Sequence, residues 1–197
     1  MKFLKVLRKK KGFTLIEVIC VIAILGILVF LAVPQFSSIR DNAKQATTIA
    51  SARATVSTIL GATAHYEKDD WYAPRSGSVP AAYSEGSMNN YLEKVFEGGT
   101  PENNTHGYSN AYSDSRFILN WTAPISGSGK DPAVFLTNTS TYSFANSNES
   151  NMEMLKGTII VYFATEGAGE SMTTKHIEVY YTDENGTKSE RPFIIVL

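Results

Sequence analysis

From residue 13 to residue 33 the chain is apolar almost without a break: 21 residues, interrupted only by Thr14, Glu17 and Gly26. Wound as a helix, such a run reaches roughly 30 Å, one hydrocarbon thickness. Pro34 follows. The helix is expected to continue through it with a bend, because proline removes one backbone bond and crowds the preceding turn. From residue 39 the pattern becomes amphipathic. Apolar or small residues recur at Ile39, Ala43, Ala46, Ile49, Ala52, Val56, Leu60 and Thr63, at steps of three or four, while Arg40, Asp41, Lys44 and Arg53 fall mostly off that line. The stretch 35–70 therefore reads as the amphipathic half of one long helix, packed on a sheet by that stripe. It is expected to fade near residues 66–70, before Pro74.

Residues 71–157 have the composition of turns and coil, as in "APRSGSVPAAYSEGS" and "TNTSTYSFANSNES". One short helix is predicted near 87–97, with Tyr91, Leu92, Val95 and Phe96 as its apolar face and Gly98-Gly99 as its stop. Residues 116–121 and 133–137 are candidate short strands. In 158–197 the β-branched and aromatic runs 158–165, 176–182 and 192–197 predict an antiparallel meander, joined through Gly167 and Gly169 and then through Asn185-Gly186, a hairpin signal. Alternation in "HIEVYYT" points one face of its strand to the helix and the other to solvent. The fold class that results is α+β: one long helix laid on an antiparallel sheet, which the earlier strands extend.

Charge divides the chain in the same place as hydropathy. Lys2, Lys5, Arg8, Lys9, Lys10 and Lys11 fall within residues 1–12, which hold no acid. Of the 18 basic residues these six leave 12, against 19 acidic ones, so the remainder carries −7. An acidic remainder argues against nucleic acid as a partner, since that grip needs clustered Lys and Arg. Cys20 is the one cysteine, which excludes an intramolecular disulfide. It is read as a small hydrophobe.

The basic block before the apolar run should stay cytoplasmic, with the rest of the chain outside. A secretory signal would have a shorter apolar core and a small-residue cleavage site, whereas Pro34-Gln35-Phe36 follows here. A plain single-span anchor fits the hydropathy equally well. Glu17 distinguishes them. An ionisable group in a spanning helix is costly and by default marks function. Its place about one turn from the cytoplasmic end lowers that cost without supplying a purpose.

Lys11-Gly12-Phe13-Thr14-Leu15-Ile16-Glu17-Val18, the apolar helix behind it and Pro34 near its end closely resemble the N-terminus of type IV prepilins and related pseudopilins. The resemblance covers roughly the first quarter of the chain. The missing disulfides and the leader are similar to those of pilins from Gram-positive, clostridium-like bacteria. The resemblance implies the type IV pilin fold: leader 1–12, transmembrane and assembly helix 13–34, amphipathic half 35–70, variable region 71–157 and β-meander 158–197. It also implies cleavage between Gly12 and Phe13 by a membrane-embedded prepilin peptidase, which then methylates the new amine of Phe13. The subunit would sit in the cell membrane as a single-pass protein, N-terminus cytoplasmic. The inner-membrane assembly platform would move it into an extracellular pilus of identical and minor pilin subunits serving adhesion, motility or biofilm formation. There Glu17 would pair with the Phe13 amine of a neighbour. In a core of low dielectric an unpaired carboxylate is heavily penalised, so the pair acts as a register device. Methylation leaves the amine cationic. The partner of Glu17 is then a terminus that does not exist until Gly12 is cut. Pro34 marks the helix bend, in a stretch that, by the same resemblance, is expected to loosen on assembly.

No pattern for catalysis or a cofactor emerges. His65, His106 and His176 are far apart in sequence, and HExxH, CxxC and GxSxG are absent. "GSGK" at 127–130 is followed by Asp131 where a phosphate loop needs Ser or Thr. Asp69-Asp70 reads as a solvated charge pair. Asn103, Asn120, Asn138, Asn148 and Asn185 stand in N-x-S/T sequences that arise by chance in Asn-rich segments, and no glycan is inferred. The leading expectation is a structural filament subunit that is no enzyme, with no cofactor and no metal. A pseudopilin of a type II secretion or competence DNA-uptake piston is the alternative. A membrane-anchored sensor or enzyme with a similar anchor is a third class.

Overall fold

The structure is a computed structural model that describes residues 12–72, 86–97, 107–116, 118–120, 132–138, 155–167 and 172–196. The basic block, "GSGK", Gly98-Gly99 and the sequons at Asn103 and Asn148 lie outside them. Two compact units divide the chain, residues 1–41 and 42–197.

One helix, α1 (Leu15–Thr63), runs through Pro34. In the first unit its large apolar side chains from Phe13 to Val33 are 49% to 90% exposed. A helix apolar on all sides suits lipid or a helix bundle, not one face of a soluble domain. It is the one helix among the described residues long and apolar enough to cross a membrane.

In the second unit α1 buries Thr48, Ala52, Thr55, Ile59 and Ala62. This corrects the expected stripe. Of its members only Ala52 is buried, Val56 packs at the core edge, and Leu60 remains 47% exposed. The buried line is rotated by about one residue, so that it carries Ile59 and the two threonines. The hydroxyls of Thr48 and Thr55 donate to the carbonyls of Lys44 (3.1 Å) and Ser51 (2.9 Å), so these side chains enter an apolar layer with their polar atoms satisfied. After Thr63 the chain turns, forms a 3₁₀ turn at Lys68–Asp70, and inserts Trp71, whose indole N–H donates to the Tyr66 carbonyl at 3.0 Å. Asp69 and Asp70 are exposed.

The short helix is α2 (Met88–Glu97). It buries Met88, Leu92 and Phe96, whereas Tyr91 and Val95 of the expected face are exposed. Spacing alone could not choose between two lines on so short a helix. The buried flank is completed by Asn89, Asn90 and Glu93, which reading for apolar residues passes over. Asn120 ties this flank to the sheet. Its Nδ2 donates to Asn90 Oδ1 (3.1 Å) and Glu93 Oε2 (3.0 Å), and its Oδ1 accepts from Asn89 Nδ2 (3.1 Å).

Among the described residues five strands follow in chain order: β1 (Ile118–Asn120), β2 (Val134–Thr137), β3 (Ile159–Glu166), β4 (Thr173–Tyr181) and β5 (Phe193–Ile195). The meander is there: β3 pairs antiparallel with β4, and β4 with β5. The two earlier strands extend it, and they join in parallel. Parallel neighbours need crossovers of about a dozen residues or more, which the long polar stretches before β2 and β3 provide. The Asn185-Gly186 turn closes the second hairpin through a bridge between Thr182 and Lys188.

Val161, Phe163, Ile177, Val179 and Ile195 meet Ala52, Ile59 and Ala62 of α1 in the main core. The opposite face of β4 is not simply solvated. Phe135, Leu155, Ile160 and Tyr180 form a second, smaller apolar cluster there. Glu178 on that face takes a bond from the Tyr180 hydroxyl and faces His176 at 3.0 Å.

Candidate assembly site at the start of the first helix

Gly12, Phe13 and Thr14 precede α1 and belong to no helix or strand. The helix thus starts at Leu15 and does not run on from the leader, as the apolar pattern alone would allow. What starts it is a reciprocal pair. The Thr14 N–H donates to Glu17 Oε2 at 2.8 Å, the Thr14 hydroxyl donates to the same oxygen at 2.8 Å, and the Glu17 N–H donates back to the hydroxyl at 3.3 Å. This is a capping box, in which a Thr and a Glu three residues on satisfy backbone donors that the first turn leaves without partners. The T-x-x-E spacing was legible in the sequence, yet Thr14 counted there only as an interruption of the apolar run. Glu17 also stands at the positive end of the helix dipole.

The other expected site residues fall as follows. Gly12 and Phe13 are exposed, Phe13 by 90%. A Cβ added at Gly12 would meet nothing within 4 Å. Pro34 lies inside α1. Cys20 is a free, exposed thiol on the same helix. Thr14 and Glu17 are therefore joined at the helix start, Gly12 and Phe13 adjoin it in sequence, and Pro34 stands several turns away. His65 is exposed beyond α1, His176 is on β4, and His106 lies outside the described residues. Among the described residues no three His, Cys, Asp or Glu side chains are grouped to hold a metal.

One comparison with known proteins bears on this same end of the chain. The family described as the prokaryotic N-terminal methylation motif matches residues 7–33. The chain is 51% identical over 55 residues to the type IV narrow pilus major component PilA5 of Thermus thermophilus, which covers 28% of this chain and 47% of that protein. It is 40% identical over 67 residues to the type II secretion system core protein G of Pseudomonas aeruginosa, covering 34% of this chain and 44% of that one. The chain thus spans less than half the length of these relatives. No solved structure matches it. Residues 7–33, which take in the capped start of α1, are a prepilin-type N-terminal methylation motif, in a chain similar in sequence to a type IV pilus component and to a secretion-system core protein.

Proposed function

We propose that this chain is a structural subunit, a major or incorporated minor pilin, of a type IV pilus. Its chemistry is done to it and not by it. A prepilin peptidase cuts between Gly12 and Phe13 and methylates the Phe13 amine. The subunit waits in the membrane with its N-terminus cytoplasmic. The assembly platform then adds it to a filament of identical and minor subunits. Glu17 pairs with the Phe13 amine of a neighbour, and Pro34 marks the bend in the assembling helix.

The observation that carries this reading is the methylation motif at residues 7–33 heading a helix whose large apolar side chains are exposed among the described residues. Gly12 adds support. Packing among the described residues gives no reason for glycine there, since a side chain would have open space. A requirement imposed by a peptidase that must approach the backbone closely supplies the reason.

Mass spectrometry of filaments sheared from the producing cell tests the proposal. A dominant subunit beginning at N-methylated Phe13 is expected. A chain that keeps its leader and stays in the membrane would overturn it. The likeness to the secretion-system core protein favours a second reading, a pseudopilin. That reading predicts a processed subunit that is scarce in sheared material and whose loss blocks protein export.

A further inference from the structure

Asn185 is the one asparagine of twelve in the chain that precedes a glycine. It sits exposed at the tip of the turn between β4 and β5. Gly186 has a φ of 76°, in the left-handed region that favours glycine. Asp183 holds the whole turn. Its Oδ1 accepts from the N–H of Asn185 at 2.8 Å and of Thr187 at 2.7 Å, and its carbonyl accepts from the Gly186 N–H at 3.1 Å. Its own N–H donates to the Thr187 carbonyl at 3.0 Å.

We propose that Asn185 is a site of spontaneous amide loss and that Asp183 sets its rate. The reaction needs only water. The Gly186 nitrogen gives up its proton and bonds to Cγ of Asn185. The bond from Cγ to Nδ2 breaks, and ammonia leaves with the proton. Water then opens the cyclic imide at one of its two carbonyls and leaves aspartate or isoaspartate. No electrons are exchanged. Glycine places no side chain beside the attacking nitrogen, so this dipeptide obstructs the attack least. In the folded chain that nitrogen is tied to the Asp183 carbonyl, and the Asn185 backbone is tied to the Asp183 side chain. Attack therefore waits on opening of the turn. The product puts a new carboxylate beside Asp183 and Glu184. Its isoaspartate form also lengthens the backbone within the Thr182–Lys188 bridge, so each event weakens the hairpin that holds β5.

The test follows conversion at Asn185 by peptide mass spectrometry in the full chain, kept in detergent at mildly alkaline pH. The native chain should convert about tenfold more slowly than the same chain in denaturant, the effect of one to two turn hydrogen bonds. Asp183→Ala, which removes the two side-chain bonds and keeps the carbonyl, should raise the native rate severalfold toward the denatured one. Asp183→Asn, which keeps an acceptor oxygen, should stay slow. Equal rates in native and denatured wild-type chain would overturn the proposal, and that comparison stands even where Asp183→Ala fails to fold. So would an Asp183→Ala chain that folds and converts at the wild-type rate.

Discussion

Thr14 holds Glu17 by a single carboxylate oxygen: the backbone N–H and the hydroxyl of Thr14 both reach Oε2 at 2.8 Å. The carboxylate thus has a partner within its own subunit before any neighbour arrives. Loss of a capping side chain typically costs about 1 kcal/mol. In Thr14→Ala the amides at positions 14 and 17 should exchange with solvent about fivefold faster, and in Thr14→Ser near the wild-type rate. Hydrogen exchange by NMR on the full chain in micelles reads both. Unchanged exchange in Thr14→Ala would mean that the helix start does not depend on this pair.

Glu17→Ala separates processing from assembly. The substitution leaves the Gly12–Phe13 bond intact but removes the carboxylate proposed to meet a neighbour's amine. Breaking a buried charge pair by deleting one partner costs about 3–5 kcal/mol. Sheared filaments should fall to background, while cleaved, methylated subunit persists in the membrane fraction. Normal filament yield from Glu17→Ala alone would remove the register role assigned to this residue.

Two adjacent residues of α1 separate the observed stripe from the expected one. Ile59 is fully buried, whereas Leu60 is 47% exposed. Ile59→Ala should cost about 2–5 kcal/mol. Leu60→Ala should stay within about 0.5 kcal/mol. Urea unfolding of the full chain in detergent, followed by tryptophan fluorescence, measures both. A larger cost at Leu60 would restore the stripe read from the sequence.

That pair of residues also shows what the sequence could and could not reveal. The long helix, the short one and all five strands were legible, because residues 15–33, 88–97, 159–166 and 173–181 carry strong length, moment or alternation signals. Which side of α1 faces the sheet was not. Alanines fill both candidate lines, and the deciding positions Thr48 and Thr55 read as polar until their hydroxyls are seen bonded to the turn behind. The parallel entry of β1 and β2 was equally hidden. Strand direction depends on crossovers that carry no periodicity of their own. At the candidate site, Glu17 stood out by its cost in an apolar run, whereas the role of Thr14 needed the bond geometry. Asn110 offered no signal of its anchoring role, since the two carbonyls it donates to, those of Pro132 and Lys156, are remote in sequence.

Asn110 anchors residues 107–116 to the sheet. Its Nδ2 donates to the carbonyls of Pro132 (3.0 Å) and Lys156 (2.6 Å), and its Oδ1 accepts from the N–H of Tyr112 (2.8 Å) and Ser113 (3.3 Å). Gly157, at φ 64°, leaves room for it: a Cβ there would sit 2.4 Å from the Tyr112 ring and 2.8 Å from Asn110 Oδ1. Asn110→Ala strands buried polar groups at about 1–3 kcal/mol each. Gly157→Ala adds left-handed strain of about 1–2 kcal/mol to the clash. Both act on one contact, so the double variant should lose less than the sum by about 0.5 kcal/mol or more. Urea midpoints of the four chains give the coupling. Strict additivity would show that the two residues do not share an anchor.

Tyr162 and Glu178 are paired across β3 and β4. Desolvation raises the phenol of Tyr162 above its ordinary value, and the Glu178 charge raises it further. The folded chain thus holds this proton more tightly than the unfolded chain does. The associated stability is complete below the ordinary phenol value near pH ~10 and is lost as pH rises through that value toward the folded one. Tyr162→Phe should therefore flatten the alkaline fall in stability. Glu178→Gln, which removes the second cause and keeps the first, should give an intermediate slope. Urea midpoints taken from about pH 8 to about pH 11 read the difference, with the remaining tyrosines common to all three chains. A Tyr162→Phe slope identical to wild type would mean that the alkaline loss arises elsewhere in the sheet.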